Sequence, residues 1–403
     1  MSSPDAPQRP YPIASTETVR DLNRHVILGL IRTRQPISRA DLARETGMQR
    51  STVSLITEQL IGERWVTEGA MGHALRGRKP RMLYLNVERA RILGVDVRPA
   101  LTTIAIADPN GRVIAYENMA TAASPEVFVR DLCRRLQTFL RAHPRIACEG
   151  IGITVPGGVD RVRERLVSAP NLGWRDIDLK GPVERATGIP VELENAANAC
   201  AIAEASFGAD RDCRDLIVVT VSEGIGTGIL SGGRLVRGAS GLAGEFGHVS
   251  LNERGPVCSC GRRGCWEVYA SNSAAIKACL EPRGGRGKKA AASGPARRLT
   301  FDQLLLLAQQ GDAAANQALV RMGDYLGRGI AMLATGLAPQ LILVVGEVTR
   351  AWSTVAPALE KSAAARVSYP LPRIMPAGNG AEARLRGTVA LVLRKQFGTA
   401  VVA

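Results

Sequence analysis

Apolar residues at Val19, Leu22, Val26, Ile27, Leu30 and Ile31 recur at helical spacing and predict a first helix from Thr18 to about Arg32. Residues 1–16 carry no apolar period and predict a disordered N-terminus. Ser38 with Asp41 three positions on reads as a helix N-cap, and Gly47 interrupts the pattern as a tight turn requires. A further helix follows from about Arg50 to Glu63, with Val53, Ile56, Leu60 and Ile61 facing inward. Two short helices joined by a glycine-containing turn form a helix-turn-helix. Trp65 and Val66, then MLYL at 82–85, predict two strands of a wing around the loop EGAMGHALRGRKPR. The expected first domain is a winged helix-turn-helix over residues 17–88.

From Arg91 the period changes from helical to strand-like. ILGVDV (92–97), LTTIAIAD (101–108) and RVIAYEN (112–118) predict three strands, followed by a helix at about 125–142 and the strand ACEGIGITV. A comparable succession returns later: strands LIVVTV (216–221), GTGILSG (226–232) and RLVRG (234–238), then helices and the buried strand LILVVG (341–346). Two similar α/β halves with a cleft between them are the expected architecture of residues 89–403. No short tandem repeat is visible.

Composition narrows the setting. No apolar run spans a bilayer; the best, near 329–346, is interrupted by Pro339 and Gln340 and reads as a buried helix followed by a strand. The start, MSSPDAPQRP, lacks a signal peptide's apolar segment, so the expected location is cytoplasmic, with reduced thiols and no membrane partner. Of eight cysteines, Cys133, Cys148, Cys200, Cys213 and Cys279 are scattered and read as small core residues. The net charge of +15 suits a polyanionic partner or a solubilising surface. Much of the excess lies in the first ninety or so residues. More lies in PRGGRGKKAAASGPARR, residues 282–298, which contains no acid and reads as a basic surface loop, touching nucleic acid or free.

The other three cysteines fall in GEFGHVSLNERGPVCSCGRRGCWE, residues 244–267. His248, Cys258, Cys260 and Cys265 match the ligand number and chemistry of a closed, structural zinc site. Glu245 and Glu267 at its edges exceed what the metal needs; they grip a small polyol or support the metal loop.

In a helix-turn-helix the second helix enters the major groove with its N-terminal residues leading. Here those are Gln49, Arg50, Ser51, Thr52 and Ser54. Gln and Arg have the forked geometry that reads adenine and guanine edges, while hydroxyls and the helix start hold phosphate. The wing tip offers Arg76, Arg78 and Lys79, suited to a narrow minor groove. Double-stranded DNA is the expected partner; a solvated charged hairpin on a protein-interaction module is the plainer reading.

On these motifs the chain resembles the ROK family of repressors, open reading frames and sugar kinases, over about residues 17–398. The most specific match is GEFGH followed by CSCGRRGCWE; VPGGVD (155–160), APNLGW (169–174), LENAANACAIAE (193–204) and SEGIGTGI (222–229) add to it. The resemblance is strongest to the family's regulators. It implies an α/β chain: an N-terminal winged helix-turn-helix, then a two-lobed actin-like (ribonuclease-H-like) ATPase fold. It implies structural zinc on His248, Cys258, Cys260 and Cys265, and sugar contacts from Asn195, Glu245, His248 and Glu267, with the Pro156-Gly157 backbone closing one wall. It also implies a homodimer or homotetramer on a palindromic operator.

The departures from the family's kinases argue against catalysis, and no catalytic residue is assigned. Kinases place Asn-Asp where this chain has Asn195-Ala196, and alanine cannot take the proton of a sugar hydroxyl. Glu194 is adjacent but should project elsewhere from an extended backbone. The kinases' first phosphate loop, Asp-x-Gly-Gly-Thr, becomes Asp96 followed by Val97, Arg98, Pro99 and Ala100. A later Gly-Gly becomes Gly346-Glu347, and Glu223 brings an unwanted negative charge to the second loop. The expected function is a DNA-binding regulator, usually a repressor, of sugar-related genes, controlled by a sugar or sugar derivative in a catalytically dead domain. The alternatives are a regulator without sugar response and an ATP-dependent sugar kinase.

Overall fold

The computed structural model describes residues 16–71, 80–143, 148–208, 213–281, 299–378 and 380–397. The wing-tip residues Arg76, Arg78 and Lys79, the basic loop 282–298 and residues 1–15 lie outside the described residues. The chain divides into two compact units. One runs to Arg89 and includes the segment from Leu393; the other is Ala90–Val392.

In the first unit, α1 (Thr16–Arg34) precedes β1 (Ile37–Ser38), α2 (Arg39–Thr46), α3 (Arg50–Gly62), β2 (Val66–Met71) and β3 (Arg81–Leu85). The helix therefore starts at Thr16, inside the stretch expected to be disordered. Its core face is Ile27, Leu28 and Ile31, whereas Val19 and Leu22 remain exposed. Ser38 caps α2 in a reciprocal capping box with Asp41, and Gly47 ends that helix in the left-handed region at φ 69°. Val53, Ile56 and Leu60 of α3 pack inward. The strands form a sheet in the order β1-β3-β2, the wing's base. Arg39 ties this frame together, reaching Glu58 of α3 and Glu68 of β2 at 2.6 Å each. Arg81 holds the other oxygen of Glu68, also at 2.6 Å.

The second unit contains two lobes of the same plan. The first has β4 (Arg91–Val97), β5 (Leu101–Ala107), β6 (Val113–Ala120), α4 (Pro125–Ala142) and β7 (Cys148–Val155). A small sheet of β8 (Gly158–Asp160), β9 (Arg165–Ala169) and β10 (Trp174–Ile177) follows, then α5 (Lys180–Thr187), β11 (Val191–Asn195) and α6 (Ala196–Phe207). The second lobe has β12 (Leu216–Val221), β13 (Ile225–Ser231), β14 (Arg234–Leu235), α7 (Glu267–Ala270), α8 (Asn272–Leu280), α9 (Phe301–Gln309) and α10 (Ala313–Leu337). It is completed by β15 (Leu341–Val345), α11 (Trp352–Ala364) and β16 (Arg373–Pro376); α12 (Gly380–Phe397) then returns to the first lobe, where Arg384 bonds Asp96 and Thr388 lies against Gly94 and Gly152.

The main sheets run β11-β7-β4-β5-β6 and β14-β13-β12-β15-β16. Counted in chain order within each lobe, both read third, second, first, fourth, fifth. In both, the first three strands are antiparallel and the last two join in parallel. This duplicated plan is the two-lobed architecture that the resemblance implied. Each lobe has its own core: Phe128 with Leu132, Ile151 and Trp174 in the first, Trp266 with Leu326, Ile330 and Val344 in the second. Helices α6 and α12 pack on each other through Ile202, Ala203 and Leu391.

Two expectations need correction. The strand expected over 234–238 stops at Leu235, because Arg237 turns away to the buried carboxylate of Glu194 at 3.0 Å. Of the scattered cysteines only Cys200 is buried, which pushes its thiol up to about 12; Cys133, Cys148, Cys213 and Cys279 are half-buried at the edges of the cores. Among the described residues no helix is long and apolar enough to cross a membrane.

Candidate functional site

The cleft of the second unit is lined from the first lobe by Pro156, Gly157, Asn171, Asn195 and Ala196, and from the second by Gly224, Glu245, His248 and Glu267. All four expected sugar contacts are therefore brought to one cavity. Asn195 sits at the end of β11 and caps α6. Its Oδ1 accepts the amides of Ala197 and Asn198 at 2.8 and 3.2 Å, and its Nδ2 donates to the Gly157 carbonyl at 2.8 Å. Both acceptor positions are thus used, and one amide hydrogen is left for a ligand.

Glu245, His248 and Glu267 form a row. His248 Nε2 lies 3.9 Å from a Glu245 oxygen, and Nδ1 lies 3.6 Å from a Glu267 oxygen. Glu267 is buried, accepting from Cys258 Sγ at 3.0 Å, Ser259 Oγ at 3.3 Å and the Ile225 amide at 3.5 Å. A β-carbon on Gly224 would come within 2.6 Å of that carboxylate and of the Asn171 amide, so a larger residue there would displace both side chains.

His248, Cys258, Cys260 and Cys265 bring one ligand atom each within 4.8 Å of one another, and this cluster could hold a metal ion. The loop that carries them is tied by its own backbone: Leu251 N–H donates to Gly264 at 2.7 Å, Cys258 to Arg262 at 2.8 Å and Trp266 to Val249 at 2.9 Å. Trp266, between Cys265 of the cluster and the cleft residue Glu267, is fully buried and donates its indole N–H to the Tyr325 carbonyl of α10 at 2.8 Å. One apolar anchor thus positions both neighbours.

Residues that would face a nucleotide are otherwise engaged. Asp96 is buried and held by two 2.8 Å bonds from Arg384 and a third from Thr154. Glu223, the negative charge on the second loop, is paired with Arg98 at 3.2 Å, and Arg98 also reaches Glu347 at 2.6 Å. Glu194 projects away from the cleft, its carboxylate taken by Arg237 and by Asn198.

In the first unit, Gln49, Arg50 and Ser51 are exposed at the start of α3, with Thr52 and Ser54 half-exposed beside them. Gln49 stands at the N-cap without a side-chain capping bond, so the first-turn amides of α3 lack that partner. Sequence reasoning missed two residues. Leu55, one turn after Ser51, is 64% exposed, an apolar side chain on the outer face of α3. Asn171 lies in APNLGW, a motif noted without a role; its Oδ1 accepts from Ser259 at 2.7 Å, beside Glu267.

A model of the ROK family matches residues 92–395. The chain belongs to the ROK family. Among its ROK relatives, the xylose repressor of Bacillus subtilis is 32% identical over 388 residues, 94% of this chain and 97% of its own. The crystal structure of a ROK family transcriptional regulator, a homolog of the E. coli MLC protein, superposes with a TM-score of 0.77 at 25% identity, covering 95% of this chain and 98% of that one. A ROK family glucokinase from Streptomyces griseus, solved with glucose and AMPPNP, gives 0.66 at 29% identity, covering 74% and 98%.

Proposed function

We propose that this ROK protein is a sugar-responsive transcriptional repressor that binds operator DNA through α3 and senses a sugar in the cleft of its second unit without phosphorylating it. The observation that carries this reading is Ala196. It lines the cleft beside Asn195, Glu245, His248 and Glu267, at the position where the family resemblance puts a kinase's proton acceptor. General-base assistance is worth about 10²–10⁴-fold in rate. The full-length similarity to a xylose repressor supports the same reading. In the sugar grip, the two carboxylates accept hydroxyl protons and the remaining Asn195 hydrogen donates. The sugar acts only if it binds two states of the protein unequally; a coupling of about 1–3 kcal/mol changes operator occupancy five-fold or more.

Zinc fits the His/Cys cluster. With Zn–S near 2.3 Å and Zn–N near 2.0–2.1 Å, a tetrahedron has S···S edges of about 3.8 Å and S···N edges of about 3.6 Å. Cys260 and Cys265 Sγ are 3.7 Å apart, and Cys258 Sγ is 3.6 Å from His248 Nδ1. Four protein ligands leave no open position, so the ion would be structural. His248 would bind it through Nδ1, leaving Nε2 on the Glu245 side for the sugar; one imidazole then serves both roles.

On the DNA side, Gln49 and Arg50 would read base edges. Ser51, Thr52, Ser54 and the open first turn of α3 would hold phosphate, and a symmetric oligomer would read a palindrome. Leu55 suits the C5-methyl of a thymine. Selection from genomic fragments should recover sequence-preferring, salt-sensitive binding. Arg50→Ala is expected to weaken it by about 1–3 kcal/mol. Leu55→Ala is expected to relax the preference at one thymine, an effect reproduced by deoxyuridine at that position. Loss of all sequence preference in the wild-type protein would sink the reading.

A second reading, an ATP-dependent sugar kinase, is favoured by the likeness to glucokinases in sequence and in structure. It predicts hexose-dependent ADP release. A coupled assay with purified protein, ATP and a hexose panel is expected to stay at background.

A further inference from the structure

Three residues that depart from the kinase pattern, separated by as much as 249 positions in the chain, meet in one ion-pair cluster. Arg98 follows β4 of the first lobe. Glu223 lies on the turn between β12 and β13, and Glu347 follows β15, both in the second lobe. Arg98 Nη1 donates to Glu347 Oε1 at 2.6 Å, and Nη2 to both Glu223 oxygens at 3.2 and 3.3 Å. All three side chains are largely withdrawn from solvent, at 22%, 22% and 32% exposure for Arg98, Glu347 and Glu223. Screening therefore weakens this cluster less than it would a surface pair.

We propose that Arg98 is a positioning residue for the effector cleft: clasped by Glu223 and Glu347, it joins the two lobes where a nucleotide's phosphates would otherwise bridge them, and so sets the affinity for a neutral sugar. The proposal rests on the reading of the cleft as a sugar sensor and adds the device that replaces the nucleotide.

The turn that carries Glu223 also touches the sugar grip. Within three residues, Glu223 meets Arg98, Gly224 leaves room for Asn171 and Glu267, and the Ile225 amide donates to Glu267. Asn272 stiffens the arrangement, its backbone N–H bonding Ser222 at 2.8 Å and its side chain Glu347 at 3.1 Å. A shift of Arg98 relative to the second lobe therefore moves the backbone on which Glu267 rests. Charge excludes the former ligand as well. Two carboxylates share one guanidinium, the neighbouring Arg384 is committed to Asp96, and Pro99 offers no N–H. A phosphate entering here meets excess negative charge, whereas a neutral polyol does not.

The test uses the full-length protein, titrated calorimetrically with D-xylose and D-glucose, with hydrogen exchange followed in the Ser222–Ile225 turn. Arg98→Ala is expected to lower affinity for the responding sugar about ten-fold and to speed exchange in the turn. Arg98→Glu should be worse, and the swap Arg98→Glu with Glu347→Arg should recover affinity that Arg98→Glu loses, an outcome that general destabilisation does not produce. ATP should give no binding heat with the wild-type protein. Unchanged affinity and exchange in Arg98→Ala, a folded swap no better than Arg98→Glu, or ATP binding to the wild-type protein would each overturn the proposal. If neither sugar binds the wild-type protein, the sensor reading fails for these sugars, and exchange in the turn still decides the clasp: unchanged exchange in Arg98→Ala overturns it, faster exchange supports it.

Discussion

Replacing Cys265 with serine is expected to release the bound ion and abolish sugar binding together. Cys265 is fully buried in the ligand cluster and adjoins Trp266 and Glu267 in the chain. A hydroxyl is a poor substitute for a thiolate on a soft-tolerant ion, and structural zinc contributes about 10–16 kcal/mol of apparent binding free energy in small finger peptides. Here the loop also has backbone ties of its own, so the loss falls on its order and not on the whole lobe. Elemental analysis should drop from about one ion per chain to almost none, and calorimetry should show no sugar heat. Chelation at raised temperature should do the same to the wild-type protein. Cys133→Ser, on α4 and outside the cluster, should leave both intact. A Cys265→Ser protein that keeps its metal would remove the case for a four-ligand site.

Arg384→Ala is expected to cost about 3–5 kcal/mol of stability, because it leaves the Asp96 carboxylate buried without its counter-charge. The pair is closed to solvent on both sides, with side-chain exposures of 8% and 6% and bonds of 2.8 Å from two guanidinium nitrogens. Thr154 adds one neutral hydrogen bond, which does not replace a charge. Urea unfolding should show the shift in midpoint. Replacing both partners with neutral groups, Asp96→Asn with Arg384→Met, should recover most of it, since the main penalty is the orphaned charge. A single variant within about 1 kcal/mol of wild type would mean that water reaches Asp96.

The readable parts of this molecule are those whose signal is local. The expected helix at 125–142 is α4 to the residue, because Ser124 caps it, Pro125 opens it, and Phe128, Leu132, Leu136 and Phe139 repeat along one face. LIVVTV became β12 with the predicted ends, since a fully buried strand is an apolar run. The His/Cys cluster was legible because its ligands fall within eighteen residues and few other uses bring three thiols together. The small sheet β8–β10 was not anticipated: the intervening RVRER segment reads as solvated charge, and its buried members Leu166, Ala169 and Trp174 are too sparse for a period. Leu55 was passed over because helical spacing picks out the inward face, Val53, Ile56, Leu60 and Ile61, and gives no role to an apolar side chain off it. The clasp was invisible for a different reason. Arg98, Glu223 and Glu347 were each noticed as defects in a phosphate site, but spacing carries no information about charges that meet across two lobes, and only the fold turns three defects into one ion-pair cluster.

The indole of Trp266 gives this design a genetic signature. It lies against Gly329 of α10 so closely that any β-carbon there would fall within 1.9 Å of the ring. A lesion at that remote glycine would tilt Cys265 and Glu267 at once without altering any residue of the first unit. If the cleft is the sugar sensor, alleles that stay shut under inducer should therefore collect along this buried seam, behind the cleft and not in it.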